Sequence, residues 1–100
     1  MNLFEQIREQ VKKIPKGKVS TYGEIAKYLQ IKDTRKIGWA LHQNKSIECP
    51  CHRVVNKEGN LAKGYAFGGK KIQKQILESE GVIFNKDGSV NLQKCLHFFV

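Results

Sequence analysis

The sequence predicts a mostly helical α+β fold, on three observations. Several stretches place apolar residues at helical spacing with charge between them. After residue 51 the period changes and β-branched residues lead. Two turn signals, NKEG at 56–59 and Asp87-Gly88, sit beside apolar residues where a chain can reverse.

Residues 2–13 carry Leu3, Phe4, Ile7 and Val11 on one helical face, continued by Ile14. Asn2 stands at the capping position, and Pro15 and Gly17 stop the helix. KVST (18–21) suits a small strand. In STYGEIAKYL (20–29) a second helix starts, with Ser20 or Thr21 as cap and Glu24 as capping-box partner. Ile25, Ala26 and Leu29 face inward.

IKDTRKIGWALHQN (31–44) reads as a turn and a third helix, capped by Asp33 or Thr34. Ile37, Ala40 and Leu41 are expected inward, and bulky Trp39 on the core side. Helix, tight turn and helix make a helix-turn-helix pattern. CHRVVNKEGNLA (51–62) then reads as a β-hairpin, and a hairpin after a helix-turn-helix makes a winged helix. GYAFGG (64–69) is a glycine-rich loop. KKIQKQILESEG (70–81) is a fourth helix, with Ile72, Ile76 and Leu77 inward and Gly81 as its stop. VIFNKDGSVNL (82–92) reads as a second hairpin. The tail, 93–100, is expected as an edge strand or an apolar plug.

A length of 100 residues suits one domain, 1–100, with one modest core. No apolar run reaches the length of a membrane span. The N-terminal stretch is charged throughout and lacks a signal-peptide core, so a cytoplasmic protein is expected. Eighteen Lys and Arg stand against nine Asp and Glu, for a net charge of +9. That imbalance favours polyanions, with nucleic acid first; the plainer reading is a merely basic, soluble protein.

The three cysteines, Cys49, Cys51 and Cys95, are an odd number with no secretory signal, which argues against a disulfide framework. Cys49, Cys51 and His52 could ligate a metal, but C-x-C-H is no common zinc spacing and no second ligand pair follows. Small buried cysteines beside a valine strand are the simpler reading. A nucleophile would need a base near the thiol and a third group orienting that base. Neighbours on an extended segment point apart, so Cys51 and His52 would need a turn or a bridging water. Pro50 makes a bend feasible, and Glu78 or Glu80 could complete a relay.

PCHRVV (50–55), preceded by LHQN and followed by GYAFGG and LESEGV, with GKVSTYGEIA upstream, closely resembles the O6-alkylguanine-DNA alkyltransferase family. The likeness runs from about Phe4 to Phe84, and is strongest to short forms such as the alkyltransferase-like proteins. It implies a winged helix-turn-helix DNA-binding domain. The implied partner is duplex DNA containing O6-alkylguanine, bound in the minor groove by a monomer. The implied chemistry moves the alkyl group once, irreversibly, to a cysteine, with no cofactor and no metal in this domain.

By that resemblance Cys51 is the alkyl acceptor, His52 its base through a bound water, and Glu80 the carboxylate orienting the histidine. Asn44 is the hinge residue before the active-site strand, and Arg53 is structural. Tyr22 donates to the flipped base and strains the target phosphate. Arg35 fills the stack the base leaves, Lys36 sits beside it, and Gly38 permits close approach to the groove. Gly64, Tyr65, Gly68 and Gly69 form a wall of the base pocket.

Some positions depart from the family pattern. The interval from Asn44 to Cys51 is one residue shorter than usual. Lys36 replaces a commonly small residue, and Ala66 and Phe67 replace a serine-bearing loop. Cys49 is extra and expected as a bystander; Cys95 is expected to be structural. The leading functional reading is an active alkyltransferase. A lesion-binding relative that flags O6-alkylguanine for excision-repair proteins is the alternative, although such relatives often carry tryptophan at the position of Cys51. A third reading is a plain winged-helix binder with an incidental cysteine.

Overall fold

Residues 1–44, 46, 48–61 and 68–99 are described by the structure, a computed structural model. In chain order the elements are α1 (Leu3–Val11), β1 (Ser20–Thr21), α2 (Tyr22–Leu29) and α3 (Arg35–His42). A 3-10 turn (Cys51–Arg53), β2 (Val54–Val55), α4 (Gly69–Ser79) and α5 (Leu92–Cys95) follow.

Each early helix starts on the chemistry its sequence offers. Asn2 Oδ1 accepts the Glu5 N–H at 2.9 Å, closing the open end of α1. Thr21 does the same for α2, its hydroxyl accepting from the Glu24 N–H at 3.0 Å. Ahead of α3, Thr34 makes no capping bond, and Asp33 accepts the Arg35 N–H at 3.1 Å instead. Ile7, Val11, Ile14, Ile25, Ala26, Ile37, Ala40 and Leu41 pack together with Cys49, Cys51 and Val54. Burying a side chain of Val or Ile size contributes about 1.5–3 kcal/mol, so this three-helix cluster anchors everything the site hangs from.

β1 and β2 pair parallel, Ser20 opposite Val54 and Thr21 opposite Val55. This corrects the expected hairpin at 51–62. The turn at 56–60 does form, with the Asn56 N–H on the Asn60 carbonyl at 3.0 Å, but the strand before it pairs upstream with β1. The reason lies in burial. A half-exposed hairpin strand alternates, whereas Val54 and Val55 are both buried, at 1% and 0% exposure. Strands buried on both faces are continuous apolar runs, as in parallel pairings. Val54 enters the three-helix cluster; Val55 enters a second one with Val19, Leu77, Val82, Val90 and Cys95.

The tail flanks β1 on its other side. Val19 bridges Leu96 in parallel, through the Val19 N–H to the Cys95 carbonyl at 2.9 Å and the His97 N–H to the Val19 carbonyl at 2.7 Å. Phe99 packs on the three-helix cluster. The second expected hairpin is present as one antiparallel bridge, Phe84 to Val90, around Asp87-Gly88.

α4 turns a different face inward than the sequence suggested. Leu77 is buried as expected and Ile76 half-buried, but Ile72 is exposed and Gln73 occupies the inward position. Gln73 is held there by donating to the His52 carbonyl at 2.9 Å. Ile72 lies over Gly68 instead: a Cβ on Gly68 would stand 2.7 Å from Ile72 Cγ1, and the Gly68 φ of +136 also disfavours any other residue. α4 ends on Gly81 at φ +92, with the Val82 N–H on the Leu77 carbonyl at 3.0 Å and the Gly81 N–H on the Glu78 carbonyl at 3.1 Å. This Schellman closure fixes Glu80 in its last turn.

Candidate active site

Pro50 bends the chain into the site. Its φ of −78 and ψ of 65, with the Cys51 N–H on the Cys49 carbonyl at 2.8 Å, make an inverse γ-turn. The 3-10 turn follows, closed by the Arg53 N–H on the Pro50 carbonyl at 2.9 Å. A 3-10 turn has three residues per turn, so Cys51 and His52 are not forced to opposite faces as on a strand. The bend that a Cys51–His52 partnership requires is therefore present.

Cys51 is buried at 8% exposure, beside the C-terminal end of α3. Asn44 Nδ2 donates to its sulfur at 3.3 Å and to the Ser46 carbonyl at 2.7 Å, while Asn44 Oδ1 accepts the Ser46 N–H at 3.2 Å. The shorter interval between Asn44 and Cys51 thus still delivers the carboxamide to the thiol. Cys49 Sγ lies 3.7 Å from Cys51 Sγ. Hydrogen bonding from Cys49 pulls the Cys51 thiol below its ordinary value; Asn44, its own backbone N–H and the Arg8 charge add to this, against burial. Cys49 moves the other way, pushed up by its bond to Cys51 and by burial. Of the pair, Cys51 is the one that receives the Asn44 amide, which favours the thiolate there.

His52 turns its Nε2 to Glu80, 3.0 Å from each carboxylate oxygen. Burial holds the ring below its usual pKa although Glu80 pulls it up, so the imidazole is neutral at neutral pH. With Nε2–H on the carboxylate, Nδ1 is the basic nitrogen. Burial also pushes Glu80 up, but Arg53 and His52 outweigh it and keep the carboxyl ionised. Arg53 clamps Glu80 with Nε at 3.0 Å and Nη2 at 2.7 Å, and its Nη1 donates to the Ile14 carbonyl at 2.8 Å. Glu78, the other carboxylate considered, is exposed.

Tyr22 starts α2 half-buried, near enough to Cys51 to feel its charge. Burial, then that charge, raise its pKa and keep the phenol protonated as a donor. α3 presents Arg35, Gly38, Trp39 and His42 at helical spacing on one outer face. This corrects the expectation for Trp39, which is 49% exposed. The inward positions are already filled by Ile37, Ala40 and Leu41, and Trp39 lies beneath Arg35, whose guanidinium is 5.7 Å from the indole centroid. Arg35 also bonds Asp33, Nε to Oδ1 and Nη2 to Oδ2, each at 3.0 Å. A Cβ on Gly38 would meet nothing within 4 Å, so that spot is open to an approaching surface. Lys36 is half-buried beside it. Gly68 and Gly69 open α4, while Gly64 and Tyr65 lie outside the described residues.

Sequence reasoning missed four contributors. Arg8 donates to the Ala40 carbonyl at 3.4 Å, and its charge acts on both thiols. Gln73 braces the turn through His52. Cys49 touches Cys51, and Asp33 clasps Arg35. Only the Asp33–Arg35 spacing, across a helix start, and the Cys49–Cys51 spacing, across Pro50, carried a local signal. Among the described residues, no group of three or more His, Cys, Asp or Glu is placed to hold a metal ion. None of the helices among them is long and apolar enough to cross a membrane.

The family model for the DNA binding domain of 6-O-methylguanine DNA methyltransferase matches residues 2–82. The Schizosaccharomyces pombe alkyltransferase-like protein 1 is 41% identical over 81 residues, covering 79% of this chain and 75% of that protein. The Candida glabrata methylated-DNA--protein-cysteine methyltransferase is 39% identical over 102 residues, covering 93% of this chain and 48% of that enzyme. The chain therefore spans about half the length of that methyltransferase. Among solved structures, S. pombe Atl1 in complex with damaged DNA containing O6-carboxymethylguanine superposes with a TM-score of 0.79 at 35% identity, covering 97% of this chain and 98% of that one. The Pyrococcus kodakaraensis O6-methylguanine-DNA methyltransferase superposes with a TM-score of 0.71 at 36% identity, covering 82% of this chain and 47% of that one. Through its match over residues 2–82, the chain belongs to the 6-O-methylguanine DNA methyltransferase family of DNA-repair proteins.

Proposed function

We propose that this protein binds duplex DNA carrying O6-alkylguanine, turns the damaged base out of the helix and transfers its alkyl group irreversibly to Cys51. The carrying observation is the thiol itself. Cys51 receives the Asn44 amide, and the adjacent His52 is braced by an ionised Glu80. A reactive thiol needs a depressed pKa and a nearby base; the lowered pKa of Cys51 and the neighbouring position of His52 in the turn support this reading.

The steps follow from these positions. Arg35, Gly38 and the rest of the outer face of α3 meet the minor groove, and Arg35 takes the vacated place in the stack. His52 Nδ1 accepts the thiol proton through a water molecule. The thiolate attacks the alkyl carbon, the bond from that carbon to O6 breaks, and its electron pair passes to the guanine. The Tyr22 hydroxyl donates to the base as charge develops there. The guanine anion takes up a proton at N1, balancing the one His52 removed from the thiol, so guanine is restored; Cys51 ends as a thioether, and each molecule works once. The net charge of +9 supplies sequence-independent affinity for phosphates. Gly64, Tyr65, Gly68 and Gly69 complete the pocket in this reading. The protein acts as a monomer, with 1–100 as one domain, in the cytoplasm or on the nucleoid.

Lesion binding without transfer is the second reading. It is favoured by the likeness to the alkyltransferase-like proteins, at 41% identity to the S. pombe protein and a TM-score of 0.79 to Atl1 in complex with damaged DNA. One experiment separates the two. The protein is incubated with duplex DNA containing O6-methylguanine and weighed intact. A gain of one methyl group, lost in Cys51→Ser, supports transfer. Tight lesion binding with no mass change selects the binding-only reading, and equal affinity for undamaged DNA overturns both.

A further inference from the structure

Alkyl transfer uses one thiol, yet two face each other. Cys49 and Cys51 are both free and buried, with sulfurs 3.7 Å apart. An extended tripeptide would hold their Cα atoms roughly 7 Å apart, at the limit a disulfide can bridge. The inverse γ-turn at Pro50 shortens that span by bonding the Cys51 N–H to the Cys49 carbonyl at 2.8 Å. The proline turn thus draws the thiols together rather than merely bending the strand.

The surroundings differ for the two sulfurs. The Asn44 amide donates to Cys51 at 3.3 Å, which favours the thiolate on that sulfur. Cys49 borders a cavity of about 190 Å³ on the α1 side, shared with Arg8, Lys12, Glu9, Asn44 and Ser46. Its sulfur lies 3.8 Å from the Arg8 carbonyl, so it already has a polar neighbour when the Cys51 contact changes. Cys95 sits in the other core cluster, accepting the Ile83 N–H at 3.4 Å. It serves as an internal control.

We propose that Cys49 is a resolving thiol for Cys51, making the Cys-Pro-Cys segment a reversible oxidation site. A peroxide is the oxidant. The Cys51 thiolate attacks one peroxide oxygen, giving a sulfenic acid and releasing hydroxide, or an alkoxide from an organic peroxide. The Cys49 sulfur then attacks the Cys51 sulfur. A disulfide forms, and the hydroxyl leaves as water with the Cys49 proton. Closure stops Cys51 before the sulfinic and sulfonic acids, which are not recovered by thiols. A dithiol reductant reopens the pair. For a protein whose nucleophile works once, this preserves acceptors not yet used; that consequence rests on the transfer reading, whereas closure itself does not.

The test therefore needs no DNA. Purified protein is treated with hydrogen peroxide and mapped by peptide mass spectrometry, before and after dithiothreitol. Wild type should lose two hydrogen atoms within the peptide bearing Cys49 and Cys51, with Cys95 unchanged, and dithiothreitol should restore both thiols. In Cys49→Ser and Cys49→Ala, Cys51 should pass to sulfinic and sulfonic acid, and the recoverable fraction should fall at least about tenfold. Wild-type Cys51 reaching those acids without an intervening disulfide overturns the proposal, whether or not the variants fold. So does recovery equal to wild type in either variant. Failure of transfer would show separately, as an unchanged mass with methylated DNA and reduced protein.

Discussion

Glu80 places both carboxylate oxygens 3.0 Å from His52 Nε2. The carboxylate therefore orients the ring and favours the proton on Nε2; in the proposed transfer reaction the other nitrogen is the base. His52→Ala should slow alkyl transfer by about 100-fold or more, the usual range for a lost general base. Glu80→Gln should slow it less. Both should leave affinity for lesion DNA within about threefold, because neither lies on the outer face of α3. Single-turnover transfer and fluorescence anisotropy, run side by side, check this; equal losses in both would remove the base assignment.

The thiol should titrate early. Asn44 and Cys49 hold Cys51 below the ordinary thiol value of 9.0. A group with a lowered pKa is deprotonated over a wider range, so iodoacetamide reactivity should rise through an inflection below 9.0. Asn44→Ala withdraws one donor and should move that inflection upward. It should also destabilise the fold by about 0.5–1.5 kcal/mol per bond lost, since the buried Asn44 side chain gives up both its bonds to the Ser46 backbone.

The same cluster should make the fold acid-sensitive. Glu80 is held below its ordinary 4.5, so the native state binds fewer protons than the unfolded chain as pH falls through that value. The stabilisation is complete above 4.5 and is lost as pH drops through the lower folded value. Glu80→Gln should flatten this acid limb in urea titrations. Arg53→Met, which removes the one permanent cation from a carboxylate exposed by only 10%, should cost about 3 kcal/mol at neutral pH.

These effects trace to residues that were only partly legible in the sequence. The cap at Asn2, the apolar spacing of α1 to α3 and the stop at Gly81 are local, and local chemistry decides them. The pairing of Val54-Val55 with Ser20-Thr21 is not, because nothing local says which segment a buried strand meets. The same holds for α4. Its polar Gln73 turns inward, where its amide donates to the His52 carbonyl at 2.9 Å and the Val54 carbonyl at 3.4 Å, contacts that no local pattern announces. Size alone suggests a core place for Trp39, but three smaller residues fill the inward face. Cys51, His52 and Glu80 were readable as a motif, but the clamp of Arg53 and the reach of Arg8 depend on tertiary contacts.

Arg35 is tied to Asp33 by a forked pair of bonds. If Arg35 fills the gap left by the flipped base, as proposed, that pair must break. Arg35→Ala should therefore weaken lesion binding about tenfold or more, through loss of the stacked substitute. Asp33→Asn should strengthen it severalfold by freeing the guanidinium and removing a negative charge near phosphates. Equilibrium titrations with matched and lesion duplexes at one salt concentration test the pair. An Asp33→Asn protein that binds more weakly would sink the restraint.

Trp39 offers a direct reporter of which face meets DNA. It is the one tryptophan in the chain, it is 49% exposed, and it lies between the open surface at Gly38 and the side chain of Arg35. If α3 enters the groove, the indole loses water and Arg35 leaves its face. Emission should then shift to shorter wavelength and change intensity on titration with duplex DNA. The change should saturate with the binding curve and reverse with added salt, because the basic chain exchanges counterions for phosphates. Trp39→Phe should abolish the signal while leaving Cys51 chemistry intact in wild-type order of rate. An emission spectrum that does not move at saturating DNA would place some other surface against the duplex.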